Sequence, residues 1–273
     1  MLTRAITGLF FVLALLTSFY FGSLSTFFLF LVITTLGVEE FYNITSKSKE
    51  VAPLKFFGIL ISIITFVVIS LIVAGKSEQK YFALPLLVLF LPFVIELYRK
   101  SKTPFVNIAY TIFGVFYITL PFAMLYHIGF YNNHQFSNDF TYTLIWGFFF
   151  ILWSNDTGAY LSGKYFGKHK LFERISPKKT WEGSFGGALL SIVVAYVCSM
   201  FFEEITSKDW IIIAIITVVF GSLGDLVESM LKRSLTIKDS GNILPGHGGI
   251  LDRFDGLFLS IPFVYAYLVL ISK

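Results

Sequence analysis

Charged residues are scarce in this chain of 273 residues: they make up 14% of the composition, whereas apolar residues make up 56%. A soluble domain has about 45–50% apolar residues, so the composition excludes an ordinary soluble protein. The single cysteine, Cys198, excludes an internal disulfide, and its place in an apolar run indicates a packing role. The sequence also lacks the alternating polar and apolar periodicity of a transmembrane β-barrel.

What the sequence has instead is a series of long apolar runs. These runs predict an all-α, polytopic membrane protein with about nine transmembrane helices. The runs cover approximately residues 5–21, 25–40, 53–74, 81–98, 104–126, 140–154, 184–202, 210–231 and 250–271. No repeat or disordered linker divides the chain, so we predict one domain over residues 1–273, with its most conspicuous motifs within 155–255.

The first two apolar runs contain a possible signal peptide and a pair of glutamates. A cleavable signal peptide is the alternative for the first run, but no small-x-small site precedes a soluble domain, and a second run begins at about Ser25. Glu39 and Glu40 lie at the end of that second run, where we expect both carboxylates to be solvated at the interface.

Positive charges are distributed unevenly between the polar segments. With nine spans, the N-terminus and every second loop carry 17 lysines and arginines, and the opposite side carries four. Because Lys and Arg favour the cytoplasmic side, we expect residues 155–183 and 232–249 to face the cytoplasm and residues 127–139 to face outward. The protein is then a multi-pass protein of the inner (plasma) membrane with its active site at the cytoplasmic interface.

The stretch from Glu228 to Asp255 concentrates charge between two apolar runs. If the preceding run is helical, Asp225 shares one face with three residues further along, because their spacing is i, i+3, i+4 and i+7. Those residues are Glu228, Ser229 and Lys232. Asp252 and Asp255 are three positions apart at the start of the next run, so both can point into one site.

The residue types in this stretch indicate a chemistry. Carboxylates prefer hard cations such as Mg²⁺, and basic side chains suit phosphates. The backbone at Gly246, Gly248 and Gly249 can approach a ligand closely and bind anionic oxygens. Together these features indicate metal-assisted phosphoryl or nucleotidyl transfer. The alternative is a solvated cytoplasmic loop with surface charges. The basic residues concerned are Lys232, Arg233, Lys238 and Arg253.

A second polar stretch follows the sixth run, which is predicted to end in Ser154-Asn155-Asp156-Thr157-Gly158. The long loop that follows is basic, and Lys178 and Lys179 stand after a proline that stiffens it. We expect these two lysines to contact a ligand. A polybasic loop that rests on anionic lipid, at about 1 kcal/mol per basic residue, is the alternative, and both interpretations can hold together.

The run from Ser229 to Asp255 resembles the signature of phosphatidate cytidylyltransferases, also called CDP-diacylglycerol synthases, with no departure across its 27 positions. The segments 156–160 and 175–183 resemble further stretches of that family. The run reads Ser229-x-Leu231-Lys232-Arg233-x4-Lys238-Asp239-x-Gly241-x2-Leu244-Pro245-x-His247-Gly248-Gly249-Ile250-x-Asp252-Arg253-Phe254-Asp255.

The resemblance implies an integral membrane enzyme. Such an enzyme condenses CTP with phosphatidate in the presence of Mg²⁺ and forms CDP-diacylglycerol and pyrophosphate. The implied partners are these two substrates and membrane lipids, with no nucleic acid, and the family suggests a homodimer.

Within this interpretation the residues receive roles. Asp225 and Asp252 are predicted to hold the principal Mg²⁺, and Asp255 or Asp156 would assist with a second cation. His247 would orient a carboxylate or bind phosphate, with a neutral loop histidine as the alternative. The predicted catalytic residues are Asp225, Lys232, Arg233, Lys238, Asp239, His247, Asp252, Arg253 and Asp255. The predicted substrate-binding residues are Asn155, Asp156, Lys178, Lys179, Ser229, Gly248 and Gly249.

Two other functions fit part of the pattern. A CTP-dependent lipid kinase also needs a metal, basic residues and an acceptor at membrane level, but it would transfer the γ-phosphoryl group and release CDP. A transporter or channel would place its charges at several mid-span positions. Here the charges collect at one face of the membrane, which argues against transport.

Overall fold

A computed structural model describes residues 2–241 and 248–272, with side chains from Thr7 onward. The described chain is mostly helical. Its helices are α1 (Leu2–Tyr20), α2 (Ser23–Thr45), α3 (Lys55–Val73), α4 (Ala83–Val88), α5 (Leu91–Arg99), α6 (Pro104–Gly114), α7 (Leu120–Ile128), α8 (Thr143–Phe166), α9 (Trp181–Phe201), α10 (Ser207–Ser234) and α11 (Leu251–Ile271).

Short irregular helices join some of these elements into longer ones. A 3₁₀ turn at Gln79–Phe82 leads into α4, and a π-helical turn at Val115–Thr119 joins α6 to α7. Two small antiparallel hairpins, which the all-α prediction did not include, lie in the polar segments. They are β1 (Tyr131–Asn132) with β2 (Gln135–Phe136), and β3 (Lys170–Phe172) with β4 (Ser176–Thr180).

Seven helical segments of the described chain are long and apolar enough to span a membrane. They confirm the prediction of a multi-pass membrane protein. The other two predicted spans correspond to α1 and α8, and the total of about nine stays a prediction. The seven segments are Ser23–Thr45, Lys55–Val73, Gln79–Arg99, Pro104–Ile128, Trp181–Phe201, Ser207–Ser234 and Leu251–Ile271.

The predicted end of the sixth helix is wrong. The sequence Ser154-Asn155-Asp156-Thr157-Gly158 looks like a helix end because Asn, Asp and Gly favour caps and turns. In the structure α8 continues through it to Phe166, and the β3–β4 hairpin follows. Tertiary packing overrides the local preference, since Gly158 lies against α9 where a larger residue would not fit.

The contact between α8 and α9 depends on small residues. A Cβ atom on Gly158 would lie 2.8 Å from the carbonyl oxygen of Gly186, and one on Gly187 would lie 2.6 Å from Asn155 Oδ1. Small residues let two helix backbones approach closely inside a membrane. The glycines at the start of α9 have this role. Their packing fixes Asn155 and Asp156 on a rigid pair of helices.

The chain divides into two compact units. The first comprises residues 1–127 and 234–253, and the second comprises residues 128–233 and 254–273.

The first unit is built around Tyr42 on α2. Its ring is fully buried, and its hydroxyl donates to the carbonyl oxygen of Thr111 at 2.6 Å. The ring fits only because Gly58 on α3 and Gly114 on α6 lack side chains: Cβ atoms there would lie 2.3 and 2.7 Å from it. The C-terminal half of α2, which includes Glu40, is therefore held firmly in place.

The hairpins offer labelling sites for the predicted topology. Asn133 at the tip of β1–β2 and Arg174 at the tip of β3–β4 are both exposed. In a Cys198→Ser background, we expect cysteines at these positions to react with an impermeant thiol reagent from opposite sides of the membrane, Arg174→Cys from the cytoplasm. Labelling of both from one side would contradict the charge-based topology.

Candidate active site

A polar cavity of about 290 Å³ in the second unit contains several of the predicted site residues. We call it the acidic pocket. Residues of α8, β4, α9, α10 and α11 line it. They are Asn155, Asp156, Ala159, Tyr160, Lys178, Lys179, Thr180, Gly183, Ser184, Gly221, Ser222, Asp225, Asp255 and Gly256. The structure therefore brings together residues that are 100 positions apart in the sequence.

An ion pair crosses the acidic pocket. Lys179 Nζ lies 2.7 Å from Asp225 Oδ2 and 3.3 Å from the carbonyl oxygen of Ser222. On the other side of the carboxylate, the hydroxyl of Ser229 donates to Asp225 Oδ1 at 3.3 Å. Both members of the ion pair are only partly exposed, so water screens their attraction less than on an open surface. Asp225 is held in position from two sides.

Asp255 shares the acidic pocket with Asp225. Its Oδ1 accepts a hydrogen bond from the backbone N–H of Gly256 at 2.7 Å. The carboxylates of Asp225, Glu228 and Asp156 are near enough to repel it electrostatically. The concentration of like charge in a confined space favours the binding of a cation.

A glycine allows α10 to approach α11 closely enough for this arrangement. A Cβ atom on Gly224 would lie 2.5 Å from the backbone oxygen of Asp255 and 3.2 Å from Gly256 Cα. The next residue along α10 is Asp225. The close backbone contact at Gly224 therefore positions Asp225 and Asp255 together.

Glu228 and Lys232 form a second ion pair, one turn further along α10. Lys232 Nζ lies 2.5 Å from Glu228 Oε2, and Glu228 is 1% exposed. A buried carboxylate is costly unless it is paired, and Lys232 supplies the compensating charge. The prediction that Asp225 and Lys232 lie on one helix is confirmed, because both belong to α10.

Two predicted substrate contacts also lie on the acidic pocket. Lys178 is exposed at its rim. Asn155 is 4% exposed, and its Oδ1 has no hydrogen-bond partner in the part of the chain that the structure describes. A Cβ atom on Gly187 would lie 2.6 Å from this oxygen, so the oxygen lies against α9.

Glu182 fastens the β3–β4 hairpin to the start of α9. Its carboxylate accepts hydrogen bonds from the backbone N–H of Lys168 and of His169, and its Oε1 lies 2.6 Å from His169 Nδ1. Thr180 ends β4 and caps α9 by accepting from the N–H of Gly183 at 3.2 Å. Both contacts fix the strand that carries Lys178 and Lys179.

Asp252 lies in the first unit and has a different environment. Its Oδ2 accepts from the backbone N–H of Ser240 at 3.0 Å and from that of Gly249 at 2.9 Å, and it lies 2.8 Å from the hydroxyl oxygen of Ser240. Gly248 has a φ of +86°, which favours glycine, and a Cβ there would lie 2.5 Å from Asp252 Oδ2. Of the three predicted glycines, Gly248 and Gly249 therefore lie against this carboxylate, and Gly246 is outside the described residues.

The expectation that Glu40 is solvated is wrong. Glu39 is exposed, but Glu40 is 4% exposed and accepts hydrogen bonds from Ser240, Ile250 and Leu251. No local pattern distinguishes the two glutamates, because the partners of Glu40 lie about 200 positions further along the chain. Sequence analysis therefore missed its contact with the signature.

The remaining predicted residues lie at the surface or outside the described chain. His247 is not among the described residues. The other four are exposed, and their predicted contacts with substrate stay predictions: they are Arg233, Lys238, Asp239 and Arg253.

The acidic pocket fits Mg²⁺ by the chemistry of its donors. The carboxylates of Asp156, Asp225 and Asp255 supply hard oxygen donors on one cavity. In the described residues, no group of three or more His, Cys, Asp or Glu side chains is arranged to hold a metal alone. Magnesium commonly binds through one or two carboxylates and completes its coordination with water and substrate phosphates, so this donor set is sufficient.

Together these features define a multi-pass membrane protein with a polar pocket lined by carboxylates and lysines. Residues 2–271 match the model of the cytidylyltransferase family. The chain belongs to this family.

Curated relatives agree with this assignment. The chain is 34% identical to a phosphatidate cytidylyltransferase of Staphylococcus epidermidis over 275 aligned positions, which cover 98% of this chain and 99% of the relative. Proteins of the same name from Staphylococcus haemolyticus and Staphylococcus aureus are 40% identical over 172 positions, or 62% of each chain.

The close contact at Gly224 can be tested against a neighbouring glycine. Gly224→Ala places a methyl group against the backbone of α11, and overpacking costs about 1–3 kcal/mol. We expect a lower melting temperature and loss of transferase activity. Gly221→Ala is the control, because its Cβ would meet the movable Leu152 side chain at 3.2 Å. Equal effects of the two changes would contradict this account.

Proposed function

We propose that this protein is a phosphatidate cytidylyltransferase, which transfers the CMP moiety of CTP to phosphatidate and releases pyrophosphate. The observation that carries the proposal is the acidic pocket, where carboxylates and lysines from distant segments meet. Membership of the cytidylyltransferase family and near full-length similarity to proteins of that name support it.

The chemistry requires charge compensation and alignment. Bound Mg²⁺ would offset the triphosphate charge and make the α-phosphorus more electrophilic. Lys178 and Lys179 would bind phosphate oxygens, and Lys179 is already positioned by Asp225. The phosphatidate oxygen then attacks in line. No covalent enzyme intermediate is needed, because positioning and electrostatic stabilisation supply the rate.

We propose Asp225 and Asp252 as ligands of the principal Mg²⁺, with Asp255 or Asp156 at a second cation. The shared cavity of Asp225, Asp255 and Asp156 supports a role for all three near the metal. For Asp252, the supporting observation is its fixed orientation: two backbone N–H groups donate to one oxygen and hold the carboxylate in a single arrangement.

The membrane setting is part of the proposal. Phosphatidate keeps its acyl chains in the bilayer, so the pocket would lie at the cytoplasmic interface of the inner (plasma) membrane, where CTP is available. The charge asymmetry supports this orientation, and α1 and α8 would complete about nine spans. The resemblance to the family supports a homodimer.

Product analysis tests the reaction. Purified protein is incubated with phosphatidate, Mg²⁺ and each nucleoside triphosphate in turn, and the lipid product is identified. We expect CDP-diacylglycerol and pyrophosphate with CTP. Release of CDP with a phosphorylated lipid would identify a CTP-dependent lipid kinase instead.

Asp225→Asn tests the charge requirement. Asn keeps the size and one carbonyl oxygen but removes the negative charge, and the loss of about 4 kcal/mol of transition-state stabilisation costs roughly a thousandfold in turnover. Stability should stay near that of the wild type, since Asp255 is then repelled less while Lys179 loses the charge of its partner. The measurements are CDP-diacylglycerol formation over a Mg²⁺ titration and the melting temperature.

Glu39→Gln is the matched control for this variant, because it removes one negative charge from an exposed helix position. We expect normal turnover from it. An Asp225→Asn or Asp252→Asn protein that retained more than about a tenth of wild-type turnover, a loss of less than roughly 1.4 kcal/mol, would remove that residue from the metal site.

The two lysines of β4 can be separated from general surface charge. Lys178→Ala and Lys179→Ala should each raise the KM for CTP by about tenfold, the effect of roughly 1.4 kcal/mol. Lys179→Ala should also lower kcat, because Asp225 loses its ion pair. The control is Lys170→Ala, an exposed lysine of the same hairpin outside the acidic pocket. If all three variants behave alike, the hairpin acts as a lipid-contacting basic surface.

A further inference from the structure

We propose that Glu40 is a positioning residue: from α2, it holds the turn of the signature that presents Asp252. Only the expected change in the Mg²⁺ dependence of activity rests on the proposed function. The contacts themselves belong to the first unit and can be tested without activity.

Glu40 is a buried acceptor for two backbone donors. Its Oε2 accepts from the N–H of Ile250 at 2.8 Å, and its Oε1 accepts from the N–H of Leu251 at 3.1 Å. These donors lie at the start of α11, where N–H groups have no partner within the helix and the helix dipole favours negative charge. A carboxylate from a distant part of the chain thereby caps the helix that contains Asp252.

Ser240 links Glu40 to Asp252. Its hydroxyl oxygen lies 2.5 Å from Glu40 Oε1 and 2.8 Å from Asp252 Oδ2. The backbone N–H of Ser240 donates to that same Asp252 oxygen. A displacement of Glu40 therefore reaches Asp252 by two routes, through Ser240 and through the start of α11.

The glycines of the turn leave room for this carboxylate. A Cβ atom on Gly249 would lie 2.0 Å from Glu40 Oε1, and one on Gly241 would lie 2.8 Å from Oε2. At both positions any side chain would displace Glu40. Part of the glycine content of the signature is thus explained by a contact inside the protein.

Burial makes the arrangement specific for a carboxylate. An unpaired buried carboxylate costs several kcal/mol, and hydrogen-bond donors reduce this cost. Gln fits the same space, but in either orientation its NH₂ group replaces an acceptor and faces a backbone N–H, that of Ile250 or that of Leu251. Glu40→Gln should therefore loosen the turn with little change in shape or packing.

The first measurement is hydrogen–deuterium exchange of the full-length protein in detergent without Mg²⁺. Glu40→Gln should speed exchange at the amides of residues 249–252 at least tenfold and leave α9 unchanged. Glu39→Gln is the control, because the neighbouring glutamate is exposed and the charge change is identical. Unchanged exchange at 249–252 in Glu40→Gln would overturn the proposal.

The second measurement separates positioning from a purely structural role. We expect the Mg²⁺ concentration for half-maximal activity to rise about tenfold in Glu40→Gln, with the melting temperature near that of the wild type. Ser240→Ala keeps the hydrogen bonds between Glu40 and the backbone, so it should raise this Mg²⁺ concentration by less. The Glu40→Gln/Ser240→Ala double variant should resemble Glu40→Gln alone. A lower melting temperature with an unchanged Mg²⁺ midpoint would show that Glu40 only stabilises the fold and would overturn the proposal.

Failure of this proposal is distinguishable from failure of the proposed function. If the wild-type protein forms no CDP-diacylglycerol, the function is wrong, and the exchange experiment still decides whether Glu40 holds the turn. If Glu40→Gln does not fold, Ser240→Ala decides instead: an exchange rate at 249–252 and a Mg²⁺ midpoint equal to those of the wild type would overturn the proposal.

Discussion

Repulsion between neighbouring carboxylates is the constraint on which the second unit depends. Acidic side chains from three helices lie at or next to one pocket, where three of them repel the carboxylate of Asp255. Two lysines offset part of this charge, and a cation with bound phosphates would offset more. The carboxylates are those of Asp156, Asp225, Glu228 and Asp255, and the lysines are Lys179 and Lys232. The site is thus less stable without its ligand than an uncharged core would be, which is common where binding is the purpose.

Close backbone contacts make this crowding possible. Side chains of ordinary size between α8 and α9, or between α10 and α11, would separate the helices and carry the carboxylates apart. Glycines remove that obstacle at the positions next to the acidic residues, as at Gly187 beside Asn155 and Gly224 beside Asp225. The free energy of packing the helices then opposes the repulsion between the charges.

The sequence was sufficient to predict a multi-pass membrane protein, the family and some of the residues that line the acidic pocket, such as Asp225 and Lys179. Long apolar runs can be recognised from composition alone. The placement of Asp225 and Lys232 on one helix follows from their helical spacing. It was insufficient wherever a distant contact decides the outcome. Asn155-Asp156 reads as a helix end, but packing against α9 keeps it helical. Glu40 reads as a surface residue, and only folding brings it to Ser240 and the start of α11.

The uninterrupted course of α8 through Asn155 and Asp156 affects the entropy of ligand binding. If these residues lay in a loop, each encounter with substrate would have to order their backbone, at about 1–2 kcal/mol per residue. On a helix packed against α9, that ordering is complete once the protein has folded. A ligand entering the acidic pocket therefore meets acidic groups in fixed positions, and the disorder that it must remove lies mainly in the lysine side chains and in the ligand itself.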